Sequence, residues 1–311
     1  MLDAYEVIGC IVIPGLVVWG FCFAVRRFEF SRWAPLAMGL GFALALVYLR
    51  WLGEYRSLGP TAEAGDSIAR TWKRVISPNE ARDWLIPFLA GAGLIGTLER
   101  ICCRHRLTAI VWGALTSLAL WRMLIGSVYL ESKWSLLESC CWVGGVGVCA
   151  AAAYSLGGRK VEAIDYAWLT RWLLVAIGVA SFVVQMMSGS QALGMIVFAW
   201  TSSVGHWALT GSFRKADRCA EDSGGFLAFA FFLVWLPGLF FAELTILNGV
   251  LLGSAILVSG LCKGKRSRWG VVLVVLIGLA FAGAAAGLAA QAFSKQMQED
   301  AANPYTSIYG N

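Results

Sequence analysis

Charge is what this chain has least of. Lys, Arg, Asp and Glu make up 14% of its 311 residues and hydrophobic residues 59%, whereas a soluble domain carries about 25% charged residues. The shortage runs along almost the whole length, which excludes an ordinary soluble fold and places the chain among polytopic membrane proteins. Histidine is almost missing as well, with two in all. That leaves at most one ligand pair for a haem, and His105 falls in a loop. No H-E-x-x-H, G-x-S-x-G or G-x-x-x-x-G-K-[ST] occurs, so a membrane metalloprotease, a serine hydrolase and a P-loop enzyme have no starting point. No Asp or Glu stands at the middle of an apolar run, where an ion-coupled carrier often keeps one. No cofactor and no metal are expected.

The nine cysteines show neither C-x-x-C nor regular spacing. Inside or beside apolar runs they act as small hydrophobes, and Cys102-Cys103 ahead of Arg104-His105 reads as a juxtamembrane run. The net charge of +6 sits mostly between apolar runs, where topology explains it and a nucleic-acid partner is not needed. Asp3 and Glu6 replace the positive start of a secretory signal. Val7-Ile8-Gly9-Cys10 lies too near Met1 to be a lipoprotein cleavage box, so the first helix is expected in the mature protein.

What is present is a series of ten apolar runs: Tyr5–Val25, Trp33–Trp51, Leu85–Cys103, Thr108–Tyr129, Trp134–Leu156, Trp168–Met187, Leu193–Phe213, Phe226–Leu244, Ile246–Cys262 and Trp269–Phe293. Most approach the ~20 residues that cross a ~30 Å hydrocarbon core as a helix. Isolated runs of this length satisfy their backbone groups only as helices, and the ~10-residue alternation of a barrel is missing. Trp33, Trp51, Trp84, Trp134, Trp168 and Trp269 mark run ends, at the headgroup level that suits an indole. The expected fold is therefore an all-α integral membrane protein, a bundle of about ten transmembrane helices in a single domain over 1–293. Residues 294–311 are expected as a disordered tail. Phe226 to Cys262 is expected to turn near Asn248-Gly249.

The loops after runs one, three, five, seven and nine carry Arg26-Arg27, Arg104 with Arg106, Arg159-Lys160, Arg214-Lys215 and Lys263 with Lys265. The opposite loops and tail hold little beyond Lys133 and Lys295. The positive-inside rule puts the basic loops in the cytoplasm and both termini outside, as in a bacterial inner (plasma) membrane. The stretch 54–83 is the exception, with Arg56, Arg70, Lys73, Arg74 and Arg82 among its acids. Ile68, Trp72, Val75 and Ile76 share one helical face there, apart from Arg70, Lys73 and Arg74. That pattern predicts one amphipathic interfacial helix, capped by Asp66-Ser67 and ended by Pro78, which meets the membrane surface or a protein partner.

Polar groups inside apolar runs are the candidate functional residues, since each is costly in lipid. Arg122 and Glu138 lie on helices joined by a short loop and are placed to pair; Glu243 and Asn248 sit near the same surface. Arg171 and His206 lie toward the other side. Arg171 is near enough to its helix end to snorkel, and His206 has the chemistry of a proton carrier or an interhelical hydrogen-bonder. Pro14-Gly15 and Pro237-Gly238 fall near mid-run and should kink or break their helices. Glycine ridges at Gly91, Gly93 and Gly96, at Gly144, Gly145 and Gly147, and at Gly283 and Gly287 predict close helix packing.

Two functions fit. One is a non-enzymatic structural or interaction protein of the lipid bilayer, using 54–83 as its contact surface. The other is a small-solute transporter built on the two Pro-Gly breaks, as broken helices build substrate sites in carriers. In length and helix count the chain resembles the drug/metabolite transporter superfamily. A lipid-directed enzyme using His206 and Arg171 would need His206 within about 3 Å of a second polar group.

Overall fold

A computed structural model describes residues 3–24, 30–58, 64–78, 80–102, 105–125, 127, 129–157, 167–213, 224–241, 244–260 and 268–302. Among them the regular structure is helical. In chain order the helices are α1 (Ala4–Ala24), α2 (Phe30–Leu58), α3 (Ala64–Ile76), α4 (Leu85–Cys102), α5 (His105–Leu124), α6 (Leu136–Gly157), α7 (Ala167–Met187), α8 (Gln191–Phe213), α9 (Gly224–Phe241), α10 (Ile246–Gly260) and α11 (Arg268–Ala302). A 3-10 turn (Ala81–Trp84) leads into α4, and a π turn (Tyr129–Lys133) precedes α6.

Each apolar run of the sequence centres on one of these helices. Five described segments are long and apolar enough to cross a membrane: Ala4–Ala24, Trp33–Leu58, Leu136–Ser155, Gln191–Thr210 and Trp269–Glu299. Thr108–Leu124, Arg171–Met187, Phe229–Phe240 and Ile246–Ser259 are shorter apolar segments.

The core is built around α9. Its residues Phe229 to Gly238 are all buried, because α4, α5, α6, α8 and α10 surround it. A helix apolar all round has no face to give to water. Phe231 sets its ring against Trp200 of α8 at 5.6 Å, Phe229 against Trp112 of α5 at 5.4 Å, and Phe240 against Trp134 at 5.4 Å. Around this axle α1 packs between α2 and α8, α2 against α4, α5 against α6, and α7 between α8 and α11. The α2–α4 contact is backbone on backbone: a Cβ on Gly39 would stand 2.8 Å from the Leu89 carbonyl oxygen and 3.0 Å from Gly93 Cα. Gly113 and Gly147 do the same for α5 and α6. Gly91, Gly144, Gly145, Gly283 and Gly287 face open space, so only part of each glycine ridge serves packing within the chain.

Three local expectations need correction. Helix α9 ends at Phe241 and α10 begins at Ile246, so Asn248-Gly249 lies inside α10 and not at the turn. Thr245 sets the start of α10, its hydroxyl accepting the Asn248 N–H at 3.3 Å and its carbonyl the Gly249 N–H at 3.1 Å. The chain beyond Phe293 stays helical to Ala302. Lys, Gln, Met, Glu and Ala are strong helix formers, and polarity ends an apolar run without ending a helix. Finally, α3 begins at Ala64, one turn before the expected cap at Asp66-Ser67. Ser67 is instead fully buried, and the Thr71 hydroxyl donates to its carbonyl at 2.8 Å.

Candidate functional site

The last turns of α2, the start of α1, α3, the 3-10 turn and the start of α8 enclose a solvent-open vestibule of about 640 Å³. Arg50, whose side chain is 9% exposed, is its hub. The guanidinium grips Glu80 with two hydrogen bonds, of 2.9 and 3.4 Å, and lies 3.4 Å from both Glu54 and Asp83. Arg74 reaches down from α3 to Glu54 at 2.9 Å and to Glu80. Arg82 adds a third guanidinium on Glu80 at 2.7 Å. On the facing wall Arg56 ties α2 to Asp3 and Glu6, and the Gln191 amide donates to Glu6 at 3.3 Å.

This layout follows from the sequence locally. Arg50 and Glu54 are one turn apart on α2. Glu80 and Asp83 form a reciprocal capping box at the 3-10 turn, so one short motif both starts α4 and offers two carboxylates to Arg50. Burial resists ionisation of Glu80, but hydrogen bonds from Arg50 and Arg82 outweigh it and hold the carboxyl at about 2. Burial pushes the Asp83 carboxyl above its ordinary value against the opposing pull of Arg50. Below these charges the floor is apolar, formed by Leu46, Ile86 and Met195. Met195 is four residues into α8, about 6 Å along the axis. Beneath it Cys10 Sγ donates to the Met195 carbonyl at 3.8 Å, which seals α1 to α8.

Deeper in the bundle, both Pro-Gly pairs are filled by side chains. A Cβ on Gly15 would stand 2.8 Å from the His206 ring. His206 Nε2–H donates to the Ile11 carbonyl at 3.0 Å, and its Nδ1 accepts the Trp19 indole N–H at 3.2 Å. Those two partners assign the neutral Nε2–H tautomer, with both ring nitrogens used. On α9, the Gln185 amide of α7 lies against Gly238, at 1.9 Å from where a Cβ would be. It donates to the Trp235 carbonyl at 3.4 Å, and Gln185 is fully buried. Pro237 therefore loses a ladder bond inside a packed wall.

The remaining candidates are dispersed. Arg122 lies 4.0 Å over the Trp84 ring and does not meet Glu138. Glu138 is taken up in the N-terminal cap of α6, accepting from the Ser135 N–H at 2.8 Å and hydroxyl at 2.9 Å. The expected pair fails because each partner has a nearer one, Trp84 of the 3-10 turn for Arg122 and Ser135 of the preceding connection for Glu138. Arg171 is buried with its guanidinium 5.0 Å from the Trp207 ring centre. Asn248 is buried in the first turn of α10. Glu243 lies outside the described residues. Sequence reasoning passed over Glu99 of α4, which accepts from Trp112 Nε1 at 2.9 Å and from the Tyr154 hydroxyl. Its signal was an acid four residues inside a run end, masked by Arg100 beside it. Among the described residues no three His, Cys, Asp or Glu side chains converge as a metal site.

Fold and site together define a helical bundle with five segments long and apolar enough to cross a membrane and a charged vestibule at one end. The chain matches no family model, no curated protein and no solved structure.

Proposed function

We propose that this chain is a multi-pass integral membrane protein of about ten spans, non-enzymatic, with a structural or interaction role exercised through the charged end formed by α2, α3 and the 3-10 turn. The observation that carries this reading is that neither expected break opens: α1 runs unbroken through Pro14-Gly15 and α9 through Pro237-Gly238, and a side chain packs against each pair. His206 occupies the space beside Gly15 and Gln185 the space beside Gly238, so the room a carrier would need for solute at either pair is taken by a side chain. The vestibule stops about one turn into α8, above the Cys10–Met195 contact. His206 has its polar partners in Trp19 and a backbone carbonyl, neither of which is an acid or base for catalysis. By the charge of its loops, the vestibule faces outward and both termini lie outside, in a bacterial inner membrane.

A second reading, the small-solute transporter, is favoured by one feature: a cavity of about 640 Å³ lined with both charges has the size of a small-ligand site. Native Cys10 separates the two. It is buried on α1, one turn before Pro14. In intact cells, on a background with the other cysteines replaced, a membrane-impermeant maleimide is expected to leave Cys10 unmodified and to modify Ala69→Cys on the exposed side of α3. Modification of Cys10 would show water passing the vestibule floor and transfer the conclusion to transport. Protection of Ala69→Cys with labelling of a loop cysteine at Ser267 would invert the orientation.

A further inference from the structure

We infer that α3 is a docking helix for anionic phospholipid, lying on the bilayer surface beside the bundle. Its polarity is the reverse of an ordinary surface helix. The side turned to the bundle is mostly polar and small: Ser67 and Thr71 are buried at 0% and 3% exposure, Arg74 is pinned by Glu54 and Glu80, and Val75 leaves the expected stripe to pack against the core. The side turned away is apolar: Ile68, Trp72 and Ile76, spaced i, i+4 and i+8, are 46%, 53% and 79% exposed. Three large side chains in one stripe on a helix that already has its packing partner need a second apolar surface.

The bilayer is the occupant that the charges select. On the exposed arc beyond Ile76 stand Lys73, about 60° round the helix from it, and Arg70, about a further 60° on, both exposed and, among the described residues, meeting no carboxylate. Asp66 shares that arc but sits in the first turn, where helix amides favour a carboxylate. An apolar stripe with Trp, flanked by free cations, is the composition of an interfacial helix that sinks about 5–10 Å into the headgroup region of acidic lipid. Position agrees. The link 59–63 joins α3 to the end of α2, a segment long enough to cross, and the ion pairs of Arg74 hold α3 there. Undocked, the stripe would be held in water a few residues from hydrocarbon.

The inference rests on the chain being membrane-embedded, and the test separates the two. The full chain, cysteine-free apart from Ile76→Cys and labelled there with a polarity-sensitive dye, is reconstituted in nanodiscs of phosphatidylcholine alone or with one third phosphatidylglycerol. An apolar emission is expected, stronger with phosphatidylglycerol and weakened by salt. Arg70→Gln with Lys73→Gln should cut the docked-to-undocked ratio in phosphatidylglycerol about thirtyfold at low salt, roughly fivefold per cation, with the melting temperature of the bundle unchanged. Water-like emission in both lipids overturns the docking, and equal emission in both overturns the preference for anionic lipid. Apolar emission that persists in detergent and rises with protein concentration assigns the stripe to a second copy, which also overturns it. A chain that stays soluble without lipid or detergent refutes the membrane reading itself.

Discussion

At Gly15 the missing side chain lets an imidazole from α8 reach the Ile11 carbonyl while its other nitrogen holds the Trp19 indole. Gly15→Ala should therefore push the ring off both partners and lower stability by about 1–3 kcal/mol, the scale of overpacking a tight core. Gly20→Ala, on the same helix with nothing within 4 Å, should be neutral or stabilising by up to about 1 kcal/mol. Thermal unfolding of the two variants in one detergent compares them directly. Both Gly15 and His206 stood out in the sequence, each for its own chemistry, but 191 residues separate them and neither motif announces the other. Gln185 gave less warning. An amide within Val-Val-Gln-Met-Met barely lowers hydropathy, and its role depends on Gly238 of another helix. Arg122 and Glu138 show the opposite error: opposite charges on neighbouring helices invited a pair, and the capping serine and Trp84 were closer.

Among the elements, α3 is the one whose position depends on charge. Glu80, held at about 2, is ionised wherever the protein is handled; its contribution is present above the ordinary carboxylate value of 4.5 and is lost only as pH falls toward 2. Asp83 runs the other way. Its raised value means that ionisation weakens the folded state as pH climbs through it, so mild acid relieves that cost. From pH 7 to pH 5 the hydrogen-exchange protection of 67–76, corrected for intrinsic rate, is expected not to fall. Glu80→Gln, which leaves three guanidinium groups short of a charge, should reduce it by roughly fivefold to tenfold, about 1 kcal/mol for a partly exposed network. Existence and rough extent of the helices were legible from apolar length, and α3 from its four-residue spacing. Three things were not. The direction of the α3 stripe depends on which side α2 occupies. The α10 start was set by a threonine hydroxyl, and the extension of α11 by propensity that hydropathy does not measure.

The whole molecule is held by close backbone approaches around a buried aromatic axle. Gly39 and Gly93 make the tightest test, because what a Cβ would strike is the Leu89 carbonyl, which has no rotamer to retreat into. Gly39→Ala should cost at least about 2 kcal/mol and broaden the unfolding transition. Gly91→Ala, about half a turn of α4 from both Leu89 and Gly93 and facing open space, should leave it sharp. A glycine ridge in a sequence tells that helices approach somewhere; only the fold tells which glycine of the ridge does so.

The continuation of α11 has a practical side. At ~1.5 Å per residue its 35 residues make a rod of about 52 Å, against a hydrocarbon core of ~30 Å. The rod is braced along α7 and α10 and projects past them. A fiducial domain spliced in helical register onto its polar end would rotate with the bundle instead of swinging on a tether. For a small target with little mass of its own to align, that makes α11 the handle by which particle images could be oriented.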